Sequence, residues 1–316
     1  MYARLLKLFK YGIPHVYSKY VMDARLKKLL KYGVSYADAS EILPPVGLPS
    51  GFFDKSFFSK QSWWKEEGHD WWREELDWEV LLRRDQAQIP DMGNREGYFS
   101  DHHLGFWVSG YRDFRKTLAA VELYGISGGR YFDFGGSTGR VFRHFAFQSD
   151  QWDVWASDFK LSSVGWNQLY YPKSIKVLLN NSNPSLPLPD SYFDLVSAYS
   201  VFTHINETET TWLLELRRIL KVGGIAYITI HDEATWKNQA PMLKQTVEKY
   251  RPDIAVLVEM PEGKTVVTFR DDDPYNCNVF HSRHYIENVW GRFFEICEIK
   301  SLNHDQQAVV ICRRPD

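Results

Sequence analysis

The sequence has few cysteines and no long apolar run, and both shortages exclude classes of protein. Its 3 cysteines, Cys277, Cys297 and Cys312, are odd in number and far apart, which excludes a disulfide framework and favours a reducing compartment. No window holds the roughly 18 apolar residues of a membrane-spanning helix. Lys7 and Lys10 interrupt the apolar start, which excludes a signal peptide. We therefore expect an intracellular, cytoplasmic protein.

Net charge is also nearly absent. The chain carries 38 basic and 40 acidic side chains, a net charge of −2. A general nucleic-acid-binding protein has a basic excess or a basic face, so the balance predicts no nucleic acid partner. Hydrophobic residues make up 44% and charged residues 25% of the chain, as in globular proteins.

The basic residues that are present cluster at the start of the chain. Residues 1–35 hold eight Lys or Arg and one acid, Asp23, and contain two similar pieces, KLFKYGI and KLLKYGV. Each piece is typical of a helix end with a glycine cap. The pattern predicts two amphipathic helices that pack on the body or on a second subunit of a homo-oligomer. The alternative is peripheral docking on an anionic membrane surface.

Aromatic residues make up 16% of the chain and concentrate between residues 52 and 78. Trp64, Trp71 and Trp78 share a helical spacing, which favours a buried stripe over a surface that contacts glycans. Residues 1–127 are therefore predicted to form a helical N-terminal extension that binds substrate, makes an oligomer or docks on a membrane.

From residue 130 onward, strand and helix patterns alternate. The predicted strands are 130–134, 153–158, 175–180, 193–199 and 224–231, and the predicted helices are 139–148, 161–170, 208–221 and 282–290. Segments 293–301 and 307–314 are expected to close the sheet as an antiparallel pair. The alternation predicts an α/β fold with a parallel, doubly wound sheet. Residues 234–280 are expected to be an insertion on the substrate side.

A glycine-rich turn follows the first predicted strand and precedes a helix. Its notable residues are Asp133, Gly135, Gly136, Ser137 and Gly139. Glycines let the backbone approach a ligand, and a helix start exposes amides that bind anions. Asp158 closes the second strand, where a carboxylate can accept both ribose hydroxyls. These features predict a nucleotide-type cofactor and leave a nicotinamide coenzyme open.

Three later segments favour another cofactor. They are the loop Leu186–Leu188, the strand FDLV at 193–196 and the helix end RILKVGG at 218–224. With the glycine turn and Asp158, they resemble in this order the class I S-adenosylmethionine (SAM)-dependent methyltransferases. Ser137 stands where that family usually has a glycine, and Val222 stands in place of a proline.

The resemblance implies a Rossmann-like methyltransferase domain over residues 128–316, with a seven-stranded sheet whose last strand is antiparallel. It also implies SAM as the cofactor. The adenine-contacting residue is expected in the loop after the third strand, where Asn181, Ser182 and Asn183 are all candidates. The residues expected to bind SAM are Asp133, Gly135, Gly136, Ser137, Gly139, Asp158, Asn181, Ser182 and Tyr199.

A methyl acceptor that is a hydroxyl needs a base to take its proton. His231, at the end of the fifth strand, is the predicted base, because an imidazole accepts protons near neutral pH. Asp232 or Glu233 is expected to orient it. His204, after the fourth strand, is the second catalytic candidate. The segment before the glycine turn, with Tyr98, His102, His103 and Tyr111, is expected near the cofactor.

The segments GRVFRHF, PSLPL and SVFTHI resemble methyltransferases linked with glycan and polysaccharide modification. The predicted function is O-methylation of a saccharide or a glycosylated metabolite. Alternatives are methylation of another small molecule, including N-methylation, and a catalytically silent SAM-fold binding protein. RNA methylation is not predicted, since no NPPY-like motif is present.

No metal is expected. Asp271–Asp273 is typical of a solvated turn before a proline. Cys277, His281 and His284 have a loosely zinc-like spacing but lack a fourth ligand nearby.

Overall fold

The computed structural model describes residues 78–95, 98–99, 103–269, 276–304 and 306–316. The predictions for residues 1–77, for His102 and for Asp271–Asp273 lie outside these ranges. Within the described residues, no helix combines the length and the apolar character needed to cross a membrane.

The described residues form nine strands. They are β1 Gly129–Phe134, β2 Trp152–Asp158, β3 Lys176–Leu179, β4 Phe193–Ala198, β5 Leu220–Ile230, β6 Lys264–Thr268, β7 Cys277–His281, β8 Glu295–His304 and β9 Gln307–Arg313. Seven of them make one sheet in the order β3-β2-β1-β4-β5-β9-β8. Strands β1 to β5 pair in parallel, and β9 is antiparallel to both of its neighbours. The predicted Rossmann-like methyltransferase fold is therefore confirmed.

The helices that the structure describes flank this sheet and its insertion. They are α1 Trp78–Arg84, α2 His103–Glu122, α3 Phe142–Phe147, α4 Leu161–Tyr170, α5 Glu209–Ile219, α6 Glu233–Lys237, α7 Pro241–Tyr250, α8 Pro252–Ala255 and α9 Arg283–Val289. The bounds of α4 match the prediction, whereas α3 begins three residues later because the glycine turn extends through residue 141.

The central strands are apolar because both faces of the sheet are covered, as parallel sheets require. On one face, Tyr131 and Leu195 share a core with helices α2 and α3, through residues such as Phe114 and Phe145. On the other face, Phe132 and Val196 pack with Trp212 of α5. Because β1 pairs in parallel with both β2 and β4, the carboxyl ends of these three strands lie at the same edge of the sheet.

Helix α2 belongs to this core, although the sequence pattern places it in the extension before residue 128. Trp107 and Phe114 of α2 are buried and lie in the same cluster as Tyr131 of β1. The packing is thus continuous across the predicted domain boundary within the described residues.

The insertion between β5 and β8 carries its own small sheet. Strands β6 and β7 pair in antiparallel fashion, and Trp236, Val247 and Phe280 form a separate apolar cluster beneath them. Strand β7 also meets the end of β5, where His281 donates its backbone N–H to the His231 carbonyl at 2.8 Å. The insertion is therefore attached to the edge of the main sheet at which the strands end.

Candidate functional site

The glycine-rich turn depends on two left-handed residues that glycine supplies. Gly135 has φ +74°, and a Cβ there would lie 2.5 Å from Val201. Gly139 has φ +85°, and a Cβ there would lie 2.3 Å from the Tyr171 hydroxyl. Both the backbone conformation and the crowding exclude larger residues. The contacts with Val201 and Tyr171 therefore require glycine at both positions of the turn.

Ser137 occupies the middle position of the turn at φ +46°, which is unfavourable for a residue with a Cβ. Two hydrogen bonds hold it there. Its backbone N–H donates to Asp158 Oδ2 at 2.9 Å, and its carbonyl accepts from Asn167 Nδ2 at 2.6 Å. These two hydrogen bonds therefore offset the unfavourable backbone conformation of a serine at this position.

Asp133 supports the turn from below. It is buried, and its Oδ1 accepts the Ser197 hydroxyl at 2.7 Å, which in turn lies 2.7 Å from the Tyr131 hydroxyl. Burial raises the pKa of Asp133 to about 7, although the Ser197 hydroxyl and the Arg140 charge act against this rise. Asp133 therefore joins β1 to β4 under the glycine turn.

Asp158 closes β2 and faces the same turn. Its Oδ2 accepts from the Ser137 amide at 2.9 Å and its Oδ1 from the Lys160 amide at 2.8 Å. These two bonds fix the carboxylate at the end of the strand. A carboxylate accepts hydrogen bonds and donates none, which is the chemistry that ligand hydroxyls require.

A cavity of about 410 Å³ lies above this edge of the sheet. Six residues of the predicted cofactor set line it, namely Asp133, Gly135, Gly136, Ser137, Asp158 and Tyr199. Gly139 does not line it and instead makes room for Tyr171. Asn181 and Ser182 are exposed and lie outside the lining.

Asn180 lines the cavity, whereas the sequence predicts that Asn181 and Ser182 do so. It is buried and donates its Nδ2 to the Asn181 carbonyl at 3.0 Å. Its Oδ1 is buried without a hydrogen-bond partner among the described residues. The sequence could have indicated Asn180 by its position directly after β3, since Asp158 stands at the corresponding end of β2.

Arg140 is a second residue that the sequence motifs do not reveal. It follows Gly139 and lines both this cavity and the larger one described below. Its Nη1 donates to Asp113 Oδ2 of α2 at 2.5 Å. No local motif marks it, because Asp113 lies in a helix that precedes the whole domain pattern.

The segment before the glycine turn contributes in part. Tyr98 is half exposed and lines both cavities. His103 lies 3.3 Å from Arg95 Nη1, and Arg95 lines the smaller cavity. Tyr111 is buried and stacks on Trp107 instead.

The second cavity, about 1200 Å³, adjoins the first and opens between the sheet edge and the insertion. The residues common to both are Tyr98, Arg140, Tyr199, Ser200, His204 and Phe269. Its floor is polar, because Ser200, Thr229 and Gln307 hydrogen-bond one another at 2.7 to 3.1 Å. The insertion supplies Gln245, Thr246, Lys249, Tyr250 and Asn278 to its wall.

His204 is the candidate base that borders both cavities. Its Nδ1 lies 2.7 Å from the Cys277 carbonyl oxygen at the start of β7. A carbonyl only accepts, so Nδ1 carries the proton, and Nε2 of the neutral ring carries the lone pair. The geometry thus fixes both the position and the tautomer of this ring.

His231 lines the larger cavity but not the smaller one. It is buried, and burial together with the charges of His204 and His281 lowers its pKa to about 3. The expected titration near neutral pH is therefore wrong for this residue. Its predicted orienting partners are also engaged elsewhere: Asp232 caps α6 through the Thr235 amide at 2.9 Å, and Glu233 accepts the Arg283 amide at 2.7 Å.

The residues considered for zinc are separated by the fold. Cys277 and His281 stand at opposite ends of β7, a span of about 13 Å at the usual rise of a strand. Within the described ranges, no group of three His, Cys, Asp or Glu side chains could hold a metal ion.

Solved structures that resemble this chain include several methyltransferases. A Burkholderia thailandensis 1,6-didemethyltoxoflavin-N1-methyltransferase is 12% identical, with a TM-score of 0.48, over 76% of this chain and 90% of its own. A SAM-dependent methyltransferase from Methanosarcina mazei is 16% identical, with a TM-score of 0.44, over 62% of this chain and 97% of its own. A search of curated proteins found no significant match.

Residues 132–228 match the family model described as "Methyltransferase domain". The matched range begins in β1 and ends in β5, so it contains the glycine turn, Asp158 and Asn180. The cavity beside them carries the carboxylate and amide acceptors that the ribose and adenine of SAM would require. Residues 132–228 therefore match a methyltransferase domain, and this range carries the glycine-rich turn and Asp158 of the candidate cofactor site.

Proposed function

We propose that this protein is a SAM-dependent methyltransferase that methylates a hydroxyl group of a saccharide or a glycosylated metabolite, with His204 as the base. The observation that carries the proposal is the place of His204, which borders both the cofactor cavity and the larger cavity. A group at that boundary can reach an acceptor while the acceptor faces the cofactor. The sequence alone favours His231, which we now place second.

The smaller cavity is the proposed SAM site. Asp158 would accept the ribose hydroxyls, and Asn180 Oδ1 would accept the adenine amino group. Gly135 and Gly136 would bring the backbone close to the methionine part, with Arg140 near its carboxylate. When bound, SAM supplies an activated methyl group on a sulfonium sulfur, so the protein must mainly align the acceptor and exclude water.

His204 would take the acceptor proton at Nε2. Its Nδ1–H is held by the Cys277 carbonyl, so the ring needs no change of tautomer before it accepts the proton. His231 has its pKa lowered to about 3 by burial and is a weak base at neutral pH. A histidine whose charged form is disfavoured by burial is poorly suited to take a proton from a weakly acidic hydroxyl.

The lining of the larger cavity supports a polyhydroxylated acceptor. Ser200, Thr229 and Gln307 form a polar floor, and Gln245 and Asn278 add amide groups. Such groups pair with several hydroxyls at once, and a site built this way rejects analogues that lack them. Aromatic rings at Tyr98, Tyr199, Tyr250 and Phe269 line the same space.

A SAM-consumption screen tests the proposal. Neutral saccharides, nucleotide sugars and matched amino sugars are offered, and mass spectrometry of the product identifies the methylated atom. We expect an O-methylated sugar. A methyl group on nitrogen, or turnover with non-sugar acceptors alone, contradicts the proposed substrate class.

The role of His204 is tested with the best acceptor of that screen. His204→Gln should lower kcat by about 10²–10⁴-fold, the usual loss for a general base, with SAM affinity retained. His231→Gln should lower kcat less. His284→Gln, at an exposed histidine of α9, is the control and should match the wild type. Near-normal turnover of His204→Gln would exclude it as the base.

A further inference from the structure

Strand β7 meets the loop that carries His204 along most of its length. His204 Nδ1 donates to the Cys277 carbonyl at 2.7 Å, and Cys277 Sγ lies 3.3 Å from the His204 carbonyl oxygen. Two residues further along, the Val279 N–H donates to the Thr203 carbonyl at 2.8 Å. The orientation of the His204 ring therefore depends on where β7 stands.

The far end of β7 is held by a buried carboxylate. Glu209, the first residue of α5, is 1% exposed, and its Oε2 accepts His281 Nε2 at 2.8 Å. Its Oε1 accepts the Tyr285 hydroxyl at 3.0 Å and Trp290 Nε1 at 2.9 Å. A buried carboxylate is retained only with such complete pairing.

Lys264 of β6 completes this cluster. Its Nζ lies 3.4 Å from Glu209 Oε2 and donates to the Asn206 carbonyl at 3.0 Å. Asn206 lies in the loop between His204 and Glu209. Strands β6 and β7 thus both make polar contacts with this loop and with Glu209 at the start of α5. The His281 hydrogen bond and the Lys264 charge lower the pKa of Glu209 to about 2 despite its burial, so the carboxylate stays charged.

We propose that Glu209 is a positioning residue for the methyl transfer: through His281 it holds β7 in place, so that the Cys277 carbonyl keeps His204 in its Nδ1–H tautomer. Glu209 lines neither cavity, so it acts through the strand and not on the acceptor. The inference rests on the proposed role of His204.

The position of β7 matters because the two contacts with the His204 loop are short and directional. A hydrogen bond weakens steeply when its angle falls, so a small displacement of β7 would release the Nδ1–H. The ring could then adopt the other tautomer, in which Nε2 carries the proton and cannot accept one. The loss would fall on kcat rather than on SAM binding.

The first test reads the tautomer of His204 directly and needs no acceptor. Protein with isotopically labelled histidine is examined by nitrogen NMR in the presence of S-adenosylhomocysteine, and the His204 signal is assigned by its loss in His204→Gln. We expect one Nδ1–H tautomer in the wild type. Glu209→Gln should give a mixture of tautomers, because an amide cannot accept from all the donors that face it.

The matched control is Glu215→Gln. Glu215 lies on the same helix as Glu209, but it pairs with Arg218 at 2.7 Å and not with His281. In the Glu215→Gln variant, the NMR signal of His204 should match that of the wild type. A wild-type His204 signal in folded Glu209→Gln overturns the proposal, whatever the acceptor turns out to be.

Variants of His281 keep the test decisive if Glu209→Gln does not fold. His281→Leu removes the hydrogen bond to Glu209 and fills the same buried space, whereas His281→Gln can still donate to it. We expect the mixed tautomer in His281→Leu and recovery of the single tautomer in His281→Gln. Equal spectra for the two variants contradict the positioning role.

Kinetics with the screened acceptor separate this inference from the proposed function. Glu209→Gln should lower kcat about tenfold to a hundredfold through misplacement of the base, with SAM affinity unchanged. In a His204→Gln background the same change should add little, since coupled residues are not additive. Full additivity overturns the inference. A fully active His204→Gln enzyme instead overturns the base assignment.

Discussion

Asp113 Oδ2 accepts a hydrogen bond of 2.5 Å from Arg140 Nη1, which joins α2 to the residue that follows the glycine-rich turn. Asp113 is buried and also accepts from Arg112 at 3.2 Å and from His304 at 2.9 Å. These three partners hold the pKa of Asp113 well below its usual range despite its burial. The guanidinium of Arg140 is thus fixed at the boundary of the two cavities.

Arg140 should bind the carboxylate of SAM from that position. Arg140→Met removes the charge and should weaken SAM binding by about 1.5–3 kcal/mol, the usual contribution of a hydrogen bond to a charged group. Isothermal calorimetry with SAM measures the change. Arg115→Met, on α2 but outside both linings, is the control. Equal affinities for the two variants would exclude Arg140 from the cofactor site.

Asn180 and Asn181 form a natural pair for testing the adenine contact. Asn180 is buried in the cavity lining, whereas Asn181 is exposed. Asn180→Ala should weaken SAM binding by about 1 kcal/mol, the typical net contribution of a neutral hydrogen bond. Asn181→Ala should leave it unchanged. Calorimetry on both variants decides between the two positions, and the reverse ranking would restore the interpretation based on the sequence.

Gly139 and Gly165 should respond in opposite directions to alanine. At Gly139 the backbone is left-handed and a Cβ would meet Tyr171, so Gly139→Ala should cost at least about 1–3 kcal/mol of unfolding free energy. Gly165 lies inside α4 with open space around its Cβ position, so Gly165→Ala should stabilise by about 0.5–1 kcal/mol. Chemical unfolding measures both. A tolerated Gly139→Ala would contradict the crowding against the Tyr171 hydroxyl.

His144 should make stability depend on pH. Burial, followed by the charge of Arg143, holds its pKa well below the ordinary 6.5. Below pH 6.5 the unfolded chain binds a proton there and the folded chain does not, so the unfolding free energy falls by up to about 1.4 kcal/mol per pH unit. His144→Leu removes this contribution.

Unfolding of wild type and His144→Leu is compared at about pH 7.5 and about pH 5.5. Asp133, whose pKa is raised to about 7, acts in the opposite direction in both proteins and so cancels in the comparison. The variant should lose less stability than the wild type on acidification. Parallel losses would show that His144 takes up a proton in the folded protein.

The sheet and the cofactor turn could be predicted because their signals are local. The buried strands are continuous apolar segments, the glycine turn and Asp158 follow strand ends, and α4 has the predicted bounds of 161–170. Each of these features depends on residues that are neighbours in the chain. The fold class and most of the residues that line the candidate cofactor cavity therefore followed from the sequence.

The end of β3 shows where local signals fail. Pairing of Leu179 with Asp158 on β2 ends the strand there and turns Asn180 into the cavity lining, one residue before the predicted contact. The end of a strand is determined by its partner, and the chain around residue 180 does not contain that partner. The same reason hides Arg140, whose role depends on Asp113, 27 residues earlier in the sequence.

The sequence by itself placed one histidine after β4 and another after β5, at the edge of the sheet that carries the glycine-rich turn. Only the tertiary structure distinguishes the surroundings of the two. Cys277 lies 73 residues beyond His204, yet its carbonyl fixes the tautomer of that ring. The insertion that delivers Cys277 also buries His231 against Phe280, and burial makes its charged form unfavourable. The basicity of a histidine is a property of its surroundings, and these are assembled from distant segments.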